Sequence, residues 1–265
     1  VIDRLVLGTA KWGSEVERKS AFQLLDDFSA AGGRFIDAAT NYPIDRNLDN
    51  HGLANKYILE WIELNPKIKL EVFIKIGSKN NSGSPEHDLS AKSLEKEIKL
   101  LQNTFGDNLS GLGVHWDNRG DDLIEEIRET IELFRSTHEN GFRIGISGIE
   151  NKKAYFETAS DLVDLWEIQV KETHNNSGIR ETYLPFFPRA KYLAYGISTG
   201  FELEVQNQKK NSIQRIHRSI EISKESFYQK TIKTMLRDDK IYRVIIGPRK
   251  NEQLTSILKW ATEVL

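Results

Sequence analysis

Cysteine is absent from this 265-residue chain. That absence excludes disulfides, a cysteine nucleophile, thiolate zinc sites and iron–sulfur clusters. Any chemistry must therefore come from Asp, Glu, His, Lys, Tyr or Ser, or from a bound cofactor. No charge of one sign dominates: 37 basic residues face 39 acidic ones, and nothing in that balance recruits nucleic acid or an anionic membrane. No apolar run approaches the roughly eighteen residues of a membrane span. The opening VIDRLVLGTA lacks the basic-then-apolar pattern of a signal peptide, so a cytoplasmic protein is the expectation. No linker, low-complexity segment or charge block divides the chain, and residues 1–265 are expected to form a single domain.

What is present is ample core material, 38% hydrophobic residues with five Trp, eight Tyr and twelve Phe, arranged in a regular alternation. RLVLGT (4–9), RFIDA (34–38), LEVFIKIG (70–77), GLGVHW (111–116), FRIGIS (142–147), LWEIQV (165–170), KYLAYG (191–196) and YRVIIG (242–247) read as eight strands. Helical periodicity falls between them. In 18–31, Ala21, Leu24, Leu25, Phe28 and Ala31 form one stripe, which Gly32-Gly33 stops. Further helices are expected at 53–64, 89–105, 123–134 (closed by Asn140-Gly141), 151–160, 212–238 and 251–264, with a poor one near 179–187. Strand–helix alternation implies parallel strands with crossover helices, and eight units in about 250 residues match a (β/α)8 TIM barrel. An open doubly wound sheet usually carries a Gly-rich turn after its first strand. Here that turn is LGTAKWGSE, without GxGxxG, which favours the barrel.

In such a barrel, catalytic groups project from the C-terminal strand ends. Four polar residues stand at those places: Asp37 at the end of strand two, Tyr42 in the loop that follows, Lys75 within strand three and His115 at the end of strand four. Taken singly, each has an ordinary structural explanation. Lys75 is the hardest to dismiss, because VFIKIG buries its ammonium unless a carboxylate meets it. Adjacent strands lie about 4.8 Å apart, so Asp37 at a matching height supplies that partner. Together the four describe a general acid for carbonyl reduction. An ammonium beside a phenol lowers its pKa, a carboxylate holds the ammonium, and the histidine orients a carbonyl oxygen.

These segments, in order, resemble the aldo-keto reductase family. FIDAATNY resembles its D-T-A-x-x-Y element, FIKIG its lysine strand, LGVHWD its histidine strand and GFRIGISGI the G-K-I-R-x-x-G-V-S-N segment. WEIQV, YLAYGISTG and VIIGPRKNEQL resemble its glutamine, tyrosine and C-terminal I-P-G-x-R-x-x-x-Q-L segments. The resemblance implies a nicotinamide-dependent oxidoreductase that reduces an aldehyde or ketone. Tyr42 would be its acid, Lys75 the modulator, Asp37 the lysine's partner and His115 the orienting donor. It further implies a cofactor site in which Ser147 and Gln169 hold the carboxamide and Tyr195 stacks on the ring, with Thr9 and Ser198 beside them. Gly247, Arg249 and Gln253 would receive the adenosine end. Arg249, with Lys250 adjacent, suits a 2′-phosphate through its bidentate fork, so NADP is expected over NAD and NADPH over NADH. The chain departs from the family at Gly148, where Asn follows the serine, at Ile246 in place of Pro, and in YGIS, which lacks a Pro-Leu pair.

Trp12, Tyr42 and Trp116, with His174 and Phe201, are candidate walls of a substrate pocket for a small-molecule carbonyl, a sugar-derived one being one expectation. Two other readings stay open: a non-catalytic or regulatory barrel that binds NADPH, and a lysine-dependent barrel such as an aldolase with Lys75 as its amine. No metal site is expected.

Overall fold

The computed structural model describes residues 1–84, 86–198, 200–201 and 223–264. Eight parallel strands close into a barrel in sequence order: β1 (Leu5–Gly8), β2 (Phe35–Ala39), β3 (Glu71–Ile76), β4 (Leu109–His115), β5 (Arg143–Ser147), β6 (Glu167–Lys171), β7 (Lys191–Tyr195) and β8 (Ile241–Ile246). Each pairs with the next, and β8 returns to β1 through Leu5↔Val244 and Leu7↔Ile246. The expected (β/α)8 TIM barrel is the observed fold. Around it run α1 (Arg18–Ala30), α2 (Leu53–Leu64), α3 (Ala91–Phe105), α4 (Ile124–Glu139), α5 (Lys152–Thr158), α6 (Gly178–Tyr183), α7 (Lys224–Arg237) and α8 (Asn251–Thr262).

Several bounds differ from those read in the sequence. Strand β2 runs on to Ala39, so Asp37 lies in mid-strand and not at its end. Strand β4 starts at Leu109, ahead of the glycine where its apolar pattern becomes obvious. Helix α4 continues past Phe134 to Glu139, its last turn burying Thr137, which polarity alone does not mark as inward. The first part of the helix expected at 212–238 lies outside the described residues; from Ser223, whose side chain caps Ser226 N–H, the helix is present.

The apolar stripes face the barrel as their spacing requires. Leu24, Leu25 and Phe28 of α1, Leu94, Ile98 and Leu101 of α3, and Ile127, Ile131 and Phe134 of α4 are all buried. Gly32 and Gly33 end α1 for separate reasons. Gly32 has φ of +87°, a conformation costly for other residues, whereas a Cβ on Gly33 would come within 2.5 Å of the Phe28 ring.

A second, smaller core fills the barrel itself, where Val6, Leu193 and Ile245 pack with Phe35 and Tyr195. Phe73 projects among Gly111, Gly113 and Gly145, where an added Cβ would lie 2.6, 2.8 and 2.7 Å from its ring. At the strand starts the barrel is plugged by charge. Arg143 donates to both oxygens of Glu167 at 3.0 Å and to Ser110 at 2.7 Å, while the Arg243 guanidinium lies 3.4 Å from the centre of the Phe35 ring. Toward the opposite end, where the strands finish, lie Lys75, His115 and Ser147.

Candidate active site

Asp37 and Lys75 meet inside the barrel as an ion pair that is almost wholly buried, at 4% and 1% exposure. Lys75 Nζ donates to Asp37 Oδ1 at 2.6 Å and to Oδ2 at 2.7 Å, and to Gln169 Oε1 at 3.1 Å. The backbone register pairs Lys75 with Ala39, and Asp37 with Phe73. The two charges are therefore not at matching heights; the lysine stem leans back two residues to reach the carboxylate. Those three acceptors use all three protons of the ammonium. Burial pulls the Lys75 pKa down, and the neighbouring Asp37 charge opposes that.

The loop after β2 is tied to the same place, since Thr40 N–H donates to the Lys75 carbonyl at 2.9 Å. This brings the Tyr42 ring centre to 5.1 Å from Lys75 Nζ. Asp45 fastens the rest of the loop by accepting from Asn81 at 2.9 Å and from Asn50 at 2.6 Å. The Tyr42 hydroxyl has no hydrogen-bond partner among the described residues. Its pKa is pushed well above the ordinary phenol value, first by burial and then by the charge of Asp37. That reverses the shift expected from the sequence, because Asp37 takes up the lysine's charge while burial dominates.

His115, at the end of β4, stands edge-on to Tyr42 with ring centres 5.9 Å apart and stacks on Trp116 at 4.1 Å. Its pKa is held well below the usual histidine value by burial and then by Lys75, so the imidazole is neutral. Trp116 has φ of +60°, unusual for a bulky residue. Its N–H donates to the Ser147 carbonyl at 2.8 Å. Gly148 accommodates this arrangement: a Cβ there would lie 2.8 Å from Trp116 Cδ1. The departure from the family's Asn thus coincides with the place the indole occupies.

Register rows set the remaining residues. His115, Ser147 and Gln169 are successive partners across β4, β5 and β6, which puts Ser147 and Gln169 beside the four-residue cluster. The Gln169 amide also donates to Asp37 Oδ1, so in this structure both ends of Gln169 engage the ion pair. Tyr195 ends β7, and the Lys75 and Asp37 charges both act on its phenol. Thr9 is fully buried and clamps β2, its hydroxyl donating to the Asp37 carbonyl at 3.0 Å. Ser198 and Gly247 are exposed, with open space where a Gly247 side chain would be. Gln253 caps α8 by accepting from Arg249 N–H at 2.7 Å. Arg249 is half exposed and pairs with Glu15 at 2.9 Å, and Glu15 also meets Lys11 at 3.0 Å.

Three other candidate pocket walls pack against the protein's own residues. Trp12 is 1% exposed and offers a ligand almost no surface. His174 and Phe201 pack on Phe227 of α7, with ring centres 4.8 and 5.8 Å away. One contact had no signal in the sequence: Ser78, in the loop after β3, approaches His115 Nδ1 at 3.2 Å. A serine three residues past a lysine marks nothing by spacing, and only the fold brings it to β4.

The arrangement offers a protonated phenol over a buried ammonium, a neutral imidazole beside it, and a cationic shelf of Arg249 and Lys250 before the N-terminus of α8. Such a shelf fits a phosphate-bearing cofactor. Among the described residues, no helix is long and apolar enough to cross a membrane. Comparison with known families matches residues 4–165 to the aldo/keto reductase family. No curated protein sequence matches the chain. Among solved structures, one similar chain is a Pseudomonas aeruginosa protein provisionally classed as an aldo-keto reductase. It has a TM-score of 0.70 at 16% identity, covering 98% of this chain and 90% of the other. Another is an aldo/keto reductase from Klebsiella pneumoniae, solved in complex with NADP and acetate. Its TM-score is 0.65 at 18% identity, covering 99% and 87%. At these identities the likeness speaks to the fold.

Proposed function

This chain belongs to the aldo/keto reductase family, and from that premise we propose that it reduces an aldehyde or ketone to an alcohol, drawing on NADPH, with Tyr42 as the proton donor. The observation that carries this reading is the buried Asp37–Lys75 pair beneath the Tyr42 ring. The nicotinamide, when bound, supplies the hydride. The chain's own residues supply everything else. His115 donates a hydrogen bond to the carbonyl oxygen and fixes its place. Tyr42 keeps its proton at any ordinary pH, because burial raises its pKa. An alkoxide is a far stronger base than a phenolate, so the proton moves from Tyr42 Oη only as the alkoxide forms. Lys75 then faces the new phenolate with a fixed positive charge, and Asp37 and Gln169 hold that charge in place.

Ser147, Gln169 and Tyr195 are the residues proposed to hold the nicotinamide end, and Arg249 with Lys250 the phosphate end. Gln169 reaches a carboxamide by releasing one of its two present contacts. The aldolase reading is disfavoured because three hydrogen bonds occupy the Lys75 ammonium, leaving no free amine to attack a carbonyl. The contacts of Gln169 with the ion pair and of Arg249 with Glu15 must give way for NADPH to bind in either case, so they do not separate the reductase reading from a non-catalytic NADPH-binding barrel. Fluorescence titration with NADPH and NADH, followed by a panel of aldehydes and ketones including sugar-derived ones, separates the two. Saturable NADPH binding with no carbonyl turned over by a well-folded protein would favour the non-catalytic barrel.

A further inference from the structure

We propose that the Ser78 hydroxyl donates to His115 Nδ1 and thereby locks the imidazole in the form that carries its proton on Nε2, making Ser78 a positioning residue for carbonyl reduction. The inference rests on the reading of His115 as the carbonyl's hydrogen-bond donor. A neutral imidazole has one N–H and one lone pair, and the partner of one nitrogen decides which nitrogen keeps the proton. Ser78 Oγ lies 3.2 Å from Nδ1, and the hydroxyl has no other hydrogen-bond partner among the described residues. Both groups are buried, at 8% and 3% exposure, so water competes poorly for either. Were Nδ1 to carry the proton instead, Nε2 would present a lone pair to the carbonyl oxygen and repel it.

The ring cannot easily swap its nitrogens by turning over, because it stacks on Trp116 and stands edge-on to Tyr42. Ser78 is itself held. Gly77 N–H donates to Glu97 at 3.1 Å, Asp88 N–H donates to the Gly77 carbonyl at 2.8 Å, and Ser78 bridges to His87 across the loop. Burial, and then the Lys75 charge, oppose a second proton on the ring. Were Nδ1 protonated, Ser78 would accept from it and its own buried O–H would be left without an acceptor among the described residues, so donation to a bare Nδ1 is the favoured neutral form.

The test is a long-range proton–nitrogen correlation spectrum of protein labelled with 15N-histidine, the His115 signals being identified by their loss in His115→Gln. The parent protein is expected to show Nδ1 bare and Nε2 protonated at neutral pH. In Ser78→Ala the two nitrogens should move toward averaged positions, and Ser78→Thr, which keeps the hydroxyl, should restore the parent pattern. With an aldehyde substrate, kcat in Ser78→Ala should fall roughly fivefold, the worth of one hydrogen bond, with NADPH affinity unchanged. A proton on Nδ1 in the parent, a spectrum that Ser78→Ala leaves unaltered, or an unchanged kcat would each overturn the proposal. The spectrum needs no turnover. A locked His115 in a protein that reduces no carbonyl would therefore count against the functional reading while leaving the hydrogen bond standing.

Discussion

Lys75 donates to both carboxylate oxygens of Asp37, although its own backbone pairs with Ala39, two residues further along β2. The side chain is drawn back into the barrel, and the ion pair ends up beneath the Tyr42 ring and away from solvent. A buried pair of this kind is weak evidence for stability, but removing one partner leaves an uncompensated charge.

Asp37→Asn is therefore expected to destabilise the fold by about 3–5 kcal/mol, and Lys75→Met by a comparable amount. The double variant should lose much less than the sum, because no charge is then stranded. Urea unfolding of the four proteins checks this; additive losses would mean that the pair is not energetically coupled.

Stability should fall as pH rises between about 4.5 and 7 through Glu172. Its side chain is buried, with Oε2 unpartnered among the described residues, and although Arg180 meets Oε1 at 2.8 Å, burial raises its pKa from 4.5 to about 7. In that window the folded state holds a proton that the unfolded state has released, so each rise in pH favours unfolding. Glu172→Gln should flatten this part of the stability profile, measured by denaturant midpoints across the range. A profile identical to the parent's would remove Glu172 as its cause.

The interior glycines around Phe73 should tolerate change unequally. At Gly113, the atoms nearest an added Cβ belong to the Phe73 ring, at 2.8 and 3.0 Å, so the roughly 1–3 kcal/mol cost of Gly113→Ala should be partly relieved by Phe73→Leu. At Gly145 the nearest atom is the Glu167 carbonyl oxygen at 2.5 Å, which a change at Phe73 cannot move. Thermal melts of the two double variants distinguish them: rescue of Gly113→Ala and none of Gly145→Ala.

If Arg249 receives the 2′-phosphate, Arg249→Ala should weaken NADPH binding by about 10–100-fold and leave NADH nearly unaffected, the loss expected for a charge-assisted contact. Glu15 competes for the same guanidinium, so Glu15→Gln should tighten NADPH binding. Fluorescence titrations of both variants check the pair; equal losses for the two cofactors in Arg249→Ala would place the phosphate elsewhere.

The barrel was legible in the sequence because strand and helix periods alternate along the chain, less cleanly in its second half, and because burial of Leu24, Ile98 or Phe134 follows from spacing alone. The convergence of Asp37 and Lys75 was legible too, since an ammonium inside VFIKIG must find a carboxylate. Their offset was not: register depends on how far each strand extends, and β2 continues past Asp37 through two alanines that no polar pattern marks. The upward shift at Tyr42 also escaped the sequence, because burial, and then the Asp37 charge, both raise it, and the depth of burial follows only from packing. Ser78 escaped it for a simpler reason, as its partner lies on another strand, 37 residues away.

The most direct test of Tyr42 as the proton donor is the rate of NADPH consumption with a substrate aldehyde in the parent and in Tyr42→Phe, with NADPH affinity measured on the same samples. Loss of the hydroxyl should lower turnover by at least about a hundredfold while NADPH binds as before. Turnover at the parent rate in Tyr42→Phe would contradict the account.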